Sequence, residues 1–399
     1  MTLKSFAILL VLVAAGCSNT APPHGARMGA ASPEAPIAPT AAAPMPALLV
    51  SAWVGYKLHF IQADGRVVDP EGAQGSTSEG QSYAMLRAVW MDDGATFDSA
   101  WGWTLNNLGD PAHGRIGWHW GRASDGGWRL LSTDSAADAD QDMALALLFA
   151  AHRWSPAYRI PAMALLATLW AEDVTTVAGH RYMSAANWAP GAAGGPVLNP
   201  SYFAPYAYRV FAAEDRSHPW SELVASSYQA LEACTDAPLE GIAGRLPPNW
   251  CALNRDTGAA QAAQGFVRPN DYGYDAFRVM WRVALDAQWN HDPRAVEYLR
   301  SHSFLLEQWQ HVDRLAAEYT HSGASRNAED DPTVYAGAIG AFSVADPAAA
   351  LAVAGKLKST AATNASGDTL FGRPTNYYEQ NWVWFGLALA WGALPDLAS

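Results

Sequence analysis

The chain has 399 residues, of which 50% are hydrophobic and only 16% are charged, and its formal net charge is −13. Nucleic-acid partners need clustered Lys and Arg, so this acidic balance excludes them. The mean hydropathy of −0.07 excludes a polytopic membrane protein. The unusual feature is the number of aromatic residues, with 18 Trp and 15 Tyr. Aromatic faces suit a core, and a surplus of them also suits stacking against the flat faces of a sugar.

The first 46 residues have the pattern of a targeting segment followed by a linker. An apolar run from Phe6 to Val13 follows Lys4. It is shorter than the ~20 residues that span a bilayer, and it predicts a secretory signal. Small residues ending at Cys17 resemble the lipobox of bacterial lipoproteins, so residues 1–17 would be a signal peptide and Cys17 the lipidated residue. Residues 18–46 are rich in Ala and Pro and predict a disordered tether.

These features predict a chain that is exported across the inner membrane. We expect a periplasmic or outer-membrane lipoprotein, or an extracellular one, that touches the membrane only through its N-terminal lipid anchor. The remaining cysteines, Cys234 and Cys251, form an even pair in an oxidising compartment, which favours a disulfide. Two free buried thiols are the alternative.

From Ala47 to the C-terminus, apolar residues recur at helical spacing, which predicts a single all-α domain over residues 47–399. The pattern predicts twelve helices: Leu48–Phe60, Gln81–Asp92, Thr96–Leu108, Asp138–Trp154, Ala157–Glu172, Tyr202–Ala213, Trp220–Ala233, Asp271–Ala287, Pro293–Gln310, Thr333–Ala341, Pro347–Lys358 and Asn376–Trp391.

The loops between these helices are alternately short and long. The long loops are rich in Gly, Pro and aromatic residues, and they cover Gly109–Asp134, Val174–Ser201, Asp236–Asn270 and Leu315–Pro332. Loops longer than about fifteen residues in a compact domain are usually functional. The alternation therefore predicts a closed ring of about six helical hairpins, with a site built by the long loops at one end.

Carboxylates stand at the starts of three predicted helices. Ser78 followed by Gln81 has the pattern of a capping box, which places Glu79 in the first turn. The structural alternative is an acid that complements the helix dipole. At a second start, Asp138 and Asp142 share a helix face, although Asp138 could instead be an N-cap.

At the third start, Asp275 precedes Arg278 by three residues, and the two can form an ion pair. A purely structural ion pair is the alternative. Hydrolysis of a glycosidic bond needs one protonated carboxyl group and one ionised carboxylate. A helix N-terminus would lower the pKa of Glu79, so burial or a neighbouring carboxylate such as Asp138 or Asp140 would have to raise it.

Four segments, which occur in the right order along the chain, resemble family 8 glycoside hydrolases: Ser78-Glu79-Gly80-Gln81-Ser82-Tyr83, Asp138-Ala139-Asp140, Asn199-Pro200-Ser201-Tyr202-Phe203 and Tyr274-Asp275-Ala276-Phe277-Arg278. This family contains bacterial endoglucanases and related enzymes. The resemblance implies an (α/α)6 barrel and an inverting mechanism, which requires an acid and a base about 6.5–9.5 Å apart. Ala137 departs from the family pattern, which usually has Ser or Thr before the Asp.

The resemblance also implies a role for each matching residue. Glu79 matches the general acid, Asp275 the general base and Asp138 the residue that holds the distorted sugar. Tyr202 matches a Tyr near the attacking water, and Arg278 would orient Asp275.

Aromatic residues in the predicted site-building segments are candidate sugar-stacking residues. Trp118 and Trp120 lie in the first long loop, and Tyr377 and Tyr378 open the last helix. Core packing is the alternative for each of them. The histidines show no metal-ligand spacing, and we expect neither a metal nor another cofactor.

The sequence thus predicts a monomeric, endo-acting β-1,4-glucanase that cleaves cellulose-type chains. Xylanase, mixed-linkage β-glucanase and chitosanase activities are alternatives on the same fold. Asp275 argues against the branch of chitosanases that uses a relocated Glu as the base, although the acidic chain would attract cationic chitosan. A carbohydrate-binding lipoprotein without turnover is an alternative of a different kind.

Overall fold

The computed structural model describes residues 44–399. The predicted signal peptide, Cys17 and residues 18–43 of the predicted tether lie outside the described residues. Within them the chain forms thirteen α-helices: α1 Ala47–Phe60, α2 Ser78–Trp90, α3 Gly94–Asn107, α4 Ala137–Arg153, α5 Arg159–Glu172, α6 Pro205–Glu214, α7 Trp220–Asp236, α8 Arg278–Asn290, α9 Pro293–Ser301, α10 Phe304–Val312, α11 Pro332–Ala345, α12 Pro347–Ser359 and α13 Tyr377–Ala390.

Six of these helices form a closed inner ring. In ring order they are α2, α4, α6, α8, α11 and α13, each packed against the next, and α13 closes the ring against α2. An outer ring of α1, α3, α5, α7, α9 and α12 packs against it, and α10 is an additional helix beside α11. The predicted all-α barrel of six helical hairpins is therefore confirmed.

Burial distinguishes the two rings. In the outer helix α5 the buried residues are Ala162, Leu165, Leu166 and Leu169, which is the single apolar stripe of a surface helix. In the inner helix α2 every residue is buried except Glu79. A polar residue at the one accessible position of a core helix indicates that the position serves something other than packing.

Close packing between inner helices places α8 next to α11. A Cβ atom added at Gly337 would lie 2.3 Å from the carbonyl oxygen of Phe277, and one added at Gly340 would lie 2.1 Å from that of Met280. Glycine is therefore required at both positions, since any side chain would push the two helices apart. This contact fixes the start of α8, which carries Arg278.

Two predicted helices differ from the observed ones by more than shifts of up to four residues at their ends. The helix predicted over Asp271–Ala287 begins only at Arg278, because residues 273–277 form a turn. The helix predicted over Pro293–Gln310 is split into α9 and α10. The backbone leaves helical geometry at His302, with φ −95° and ψ 63°.

The loops of the described residues contain fourteen short antiparallel strands that were not predicted from the sequence: β1 Ser76–Thr77, β2 Gly109–Asp110, β3 Arg115–Ile116, β4 His119–Arg122, β5 Trp128–Ser132, β6 Val174–Val177, β7 His180–Met183, β8 Val197–Leu198, β9 Cys251–Leu253, β10 Ala260–Ala262, β11 Glu318–Tyr319, β12 Ser325–Asn327, β13 Ala361–Thr363 and β14 Thr369–Phe371. They form sheets in the orders β1-β4-β5 and β8-β9-β10 and four two-stranded hairpins. None of the described helices is long and apolar enough to cross a membrane.

Cys234 at the end of α7 is bonded to Cys251 at the start of β9, across 17 positions of sequence. The bond ties a long loop to the outer ring. Closing a loop of this length restricts the unfolded chain and contributes about 3 kcal/mol to stability.

We therefore expect the double variant Cys234→Ser/Cys251→Ser to lose about 3 kcal/mol of unfolding free energy in urea titrations. Dithiothreitol should bring the wild type to the same value and leave the double variant unchanged. Equal stability of all three samples would show that the bond contributes nothing in solution.

Candidate active site

The N-terminal ends of three inner helices meet at one end of the barrel. Glu79 lies in the first turn of α2, Asp138 in the first turn of α4, and Arg278 is the first residue of α8. Asp275 lies in the turn that leads into α8. The long loops Gly109–Asp134 and Asp236–Asn270 lead toward the starts of α4 and α8.

The start of α2 differs in detail from the predicted capping box. Thr77, not Ser78, is the N-cap, and its Oγ1 accepts a hydrogen bond from the Gly80 amide at 3.1 Å. The side chain of Gln81 is buried and accepts from the Val67 amide at 2.6 Å instead of closing a cap. The side-chain amide of Gln81 therefore holds the preceding loop against α2, which fixes the backbone that carries Glu79.

The start of α4 has no side-chain cap. Ala136 occupies the N-cap position, so the interpretation of Asp138 as a cap is wrong. Gln141 donates to the carbonyl oxygens of Ala137 at 2.5 Å and Tyr202 at 3.2 Å. The carboxylate of Asp138 does not cap α4 and instead accepts a bond from Arg278.

Arg278 joins the three carboxylates. Its Nη1 donates to Oε2 of Glu79 at 2.9 Å and to Oδ2 of Asp138 at 3.0 Å. Its Nη2 donates to Oδ1 of Asp275 at 2.6 Å. The guanidinium is buried, with a side-chain exposure of 1%. One buried cation therefore faces three carboxyl groups, and this imbalance favours protonation of one of them.

Glu79 is the carboxyl group whose protonation the surroundings favour. Burial raises its pKa to about 7 as the largest effect; Arg278 opposes that rise and the charge of Asp138 adds to it. Burial also raises the pKa of Asp138 against the opposing charges of Arg278 and Arg282. The dipole of α2, which would lower the pKa of Glu79, is thus outweighed.

Asp275 has the greatest access to solvent of the three carboxylates. Its side chain is 32% exposed, compared with 22% for Glu79 and 3% for Asp138. The same guanidinium donates to Glu79 at 2.9 Å and to Asp275 at 2.6 Å. The two oxygens that accept these bonds therefore lie within about 8 Å of each other.

Three tyrosines surround the carboxylates. The ring centroid of Tyr202 lies 5.3 Å from the guanidinium carbon of Arg278, within the range of a cation–π contact. The hydroxyl of Tyr377 donates to Oε1 of Glu79 at 3.0 Å. The hydroxyl of Tyr378 donates to the carbonyl oxygen of Tyr274 at 2.6 Å, next to Asp275. Burial raises the pKa of Tyr202, Tyr377 and Tyr378 well above the usual value, so the phenols stay neutral.

A second buried ion pair lies one helical turn deeper in the barrel. Arg282 donates two bonds of 2.8 Å to Asp142 and one of 2.7 Å to the Tyr206 hydroxyl. Arg282 and Asp142 are each four positions after Arg278 and Asp138 on the same helix, as expected for one face of a helix. The two bonds to one carboxylate fix the orientation of Arg282. The Arg282–Asp142 pair lies one helical turn below Arg278 and Asp138.

An aromatic cavity of about 320 Å³ opens beside the carboxylates. Trp118 and Trp188 on its wall remain 40% and 39% exposed. The residues that line it are Trp118, Ser135, Ala136, Ala185, Ala186, Trp188, Tyr202 and Trp250.

Trp118 and Trp120, the two candidate sugar-stacking tryptophans of the first long loop, lie in different surroundings. Trp118 lines this cavity, whereas Trp120 packs edge-on against Trp103 at 5.4 Å and stacks with Trp128 at 4.9 Å. Trp120 is not among the residues that line the cavity.

The sequence of residues 34–379 matches the family model of glycosyl hydrolases family 8. The chain belongs to this family. An endoglucanase from Xanthomonas axonopodis pv. citri (strain 306) is 35% identical to this family 8 chain over 247 residues. That alignment covers 59% of this chain and 60% of the relative, so the chain spans about three fifths of the relative's length.

Solved structures show the same fold. An endo-1,4-D-glucanase from Vibrio fischeri ES114 has a TM-score of 0.71 at 22% identity, with 87% of this chain and 97% of that one covered. A β-1,3-1,4-glucanase from Paenibacillus sp. X4 has a TM-score of 0.71 at 18% identity, with coverage of 86% and 91%. At these identities the likeness concerns the family's (α/α)6 barrel alone.

Several contacts of the candidate site were not predicted from the sequence. Tyr83 accepts a bond from Nη1 of Arg278 at 3.3 Å, and Asn249 binds the turn that carries Asp275. The pairing of Tyr377 with Glu79 joins residues 298 positions apart. No spacing rule reaches across such separations, so these contacts needed the folded structure.

Proposed function

We propose that this family 8 chain is an inverting, endo-acting glycoside hydrolase that cleaves β-1,4-glucan chains of the cellulose type. The observation that carries the proposal is the contact of one buried guanidinium, Arg278, with Glu79, Asp138 and Asp275. A pure sugar-binding protein does not need a carboxyl group held protonated beside two others.

In the proposed reaction Glu79 is the general acid. It donates its proton to the glycosidic oxygen while the bond between that oxygen and C1 breaks. Asp275 is the general base, and it accepts a proton from a water molecule whose oxygen bonds to C1 from the opposite face. The product is a reducing sugar of inverted configuration. Proton exchange with solvent then restores both groups.

The surrounding residues hold these groups in their working states. Asp138 binds the distorted sugar at the cleavage point, and Tyr202 lies near the attacking water. Arg278 orients Asp275, and its charge limits the electrostatic repulsion among the carboxylates. The limit of about 8 Å between the bonded oxygens of Glu79 and Asp275 admits both the separation of about 6.5–9.5 Å in inverting enzymes and that of about 5–5.5 Å in retaining ones, so the inverting assignment rests on the match to family 8.

Two observations favour a β-1,4-glucan substrate: the endoglucanases among the relatives and the aromatic cavity. Curated relatives from several bacteria are named endoglucanases, and exposed Trp rings beside the carboxylates suit a sugar chain that continues beyond the cleavage point. A mixed-linkage β-glucanase is the second candidate, because the Paenibacillus β-1,3-1,4-glucanase has the same fold.

The N-terminal pattern adds a location to the proposal. The run before Cys17 and the Ala/Pro-rich segment after it support an exported lipoprotein with its catalytic unit on a tether. We propose a periplasmic or outer-membrane position, or an extracellular one, and action as a monomer.

Reducing-sugar release from carboxymethylcellulose, lichenan, xylan and chitosan tests the substrate. The proposal expects carboxymethylcellulose to be cleaved, with a fall in viscosity that precedes most of the sugar release, as internal cleavage requires. Activity on lichenan without activity on carboxymethylcellulose would favour the second candidate. Sugar release from xylan or chitosan alone would refute both.

We expect Trp118, on the wall of the aromatic cavity, to stack against a sugar ring of the substrate. Loss of a stacking ring in Trp118→Ala should weaken binding of cellohexaose by about 1 kcal/mol, or roughly fivefold, in calorimetric titrations of an inactive enzyme. Trp128→Ala removes a ring that is 43% exposed but does not line the cavity, so it serves as the matched control. Equal losses in the two variants would contradict a specific stacking role.

A further inference from the structure

We propose that Asn249 is a positioning residue for Asp275. Its side-chain amide oxygen fixes the turn on which the base is carried. The inference rests on the function proposed above and adds a residue that neither the sequence motifs nor the helix starts indicated.

The contacts of Asn249 lie on both sides of Asp275. Its Oδ1 accepts hydrogen bonds from the Gly273 amide at 3.2 Å and from the Ala276 amide at 3.0 Å. Its own backbone amide donates to the carbonyl oxygen of Asp271 at 2.8 Å. One side-chain oxygen thus binds two amides of the same turn, two residues before and one residue after the base.

The turn needs such a support because it is not part of a helix. Helix α8 begins at Arg278, three residues after Asp275, so the helical hydrogen bonds do not set the direction of the Asp275 side chain. Arg278 and Tyr378 bind carbonyl oxygens of the turn, at Asp275 and Tyr274, at 3.1 and 2.6 Å. Asn249 binds amides, and it thereby complements these two contacts.

Asn249 is itself held in place. It follows Pro247 and Pro248, whose rings restrict the backbone. Two residues after it, Cys251 is bonded to Cys234 of α7. Asn249 and Asp275 also line the same cavity, which has a volume of about 270 Å³.

The test compares Asn249→Ala with Asn249→Asp. Removal of the acceptor should lower kcat on carboxymethylcellulose by about tenfold to a hundredfold, since small displacements of a catalytic group have effects of this size. KM should change by less than about twofold, because ground-state binding does not use the base. Asn249→Asp keeps an acceptor oxygen and should restore kcat to within about threefold of the wild type.

Asn254→Ala is the matched control. In the same loop, Asn254 Oδ1 accepts from the amides of Asp256 and Thr257 at 3.1 and 3.0 Å, but these residues do not lie in the turn of Asp275. We expect wild-type kcat from this variant. Rates are expressed per mole of folded enzyme, with the folded fraction taken from thermal unfolding.

Three results would overturn the positioning role: wild-type kcat in Asn249→Ala, equal losses in Asn249→Ala and Asn249→Asp, or an equal loss in Asn254→Ala. Asp275→Ala in the same series separates this inference from the proposed function. Full activity of Asp275→Ala would refute the function itself. An inactive Asp275→Ala beside a fully active Asn249→Ala would refute only the role of Asn249.

Discussion

Replacement of Glu79 by Gln should lower kcat on carboxymethylcellulose by about 10³-fold, within the range that a positioned general acid contributes. Gln has nearly the same shape and can still accept the bond from Arg278 and pack beside Tyr377. The fold should therefore persist, and only the transferable proton is lost. The measurement is reducing-sugar release at saturating substrate, with thermal unfolding as the check on folding.

Because Glu79 titrates and Gln does not, the wild type and Glu79→Gln should also differ in the pH dependence of their activity. The acid must be protonated to act, and burial raises its pKa to about 7. Wild-type activity should accordingly be lost as the pH rises through about 7. The small residual activity of Glu79→Gln should lack that basic limb, because the variant has no group there to titrate.

Glu71 provides the matched control. It is an exposed acid whose carboxylate binds Thr375 and Asn376 in the loop next to Tyr377. Glu71→Gln should keep kcat within about twofold of the wild type. If Glu79→Gln were as active as Glu71→Gln, Glu79 would not be the acid.

Replacement of Asp275 by Ala should have an effect of similar size, about 10²–10⁴-fold in kcat, because no group remains to accept the proton of the attacking water. Removal of this side chain also opens space on the face from which water attacks. Sodium azide should then restore turnover, since the azide anion bonds to C1 without giving up a proton while Glu79 still protonates the leaving oxygen.

The azide experiment distinguishes the two carboxylates. Rescue of Asp275→Ala should yield an α-glycosyl azide, detectable by mass spectrometry and NMR. Azide should not rescue Glu79→Gln, where the leaving oxygen still lacks its proton. A β-glycosyl azide from Asp275→Ala would indicate a retaining mechanism, whereas rescue of Glu79→Gln alone would exchange the proposed roles of the two residues.

Much of the architecture could be predicted because it depends on local periodicity. The helical spacing of apolar residues predicted the helices, and the spacing of four between Asp138 and Asp142 correctly placed both on one face of α4, where they contact Arg278 and Arg282. The spacing of three between Asp275 and Arg278 allowed an ion pair, which the structure contains at 2.6 Å. Each of these features is decided within one turn of helix.

The features that were missed depend on contacts between distant segments. Gln81 was assigned to a local cap, but in the buried start of α2 it meets an unpaired amide of the preceding loop, and that demand is stronger than capping. The loop strands are short pairs held by tertiary packing, so they leave little periodicity in the sequence. The attachment of Asn249 to the turn of Asp275 likewise required the folded loop.

The central claim is that Glu79 and Asp275 act on opposite faces of one sugar, with a water molecule on the side of Asp275. The most direct measurement is the anomeric configuration of the first reducing ends released from cellohexaose, followed by proton NMR before mutarotation. The proposed mechanism predicts that the α-anomer appears first and the β-anomer later. If the β-anomer appears first, the mechanism is retaining, and the assignment of Asp275 as a base that activates water is wrong.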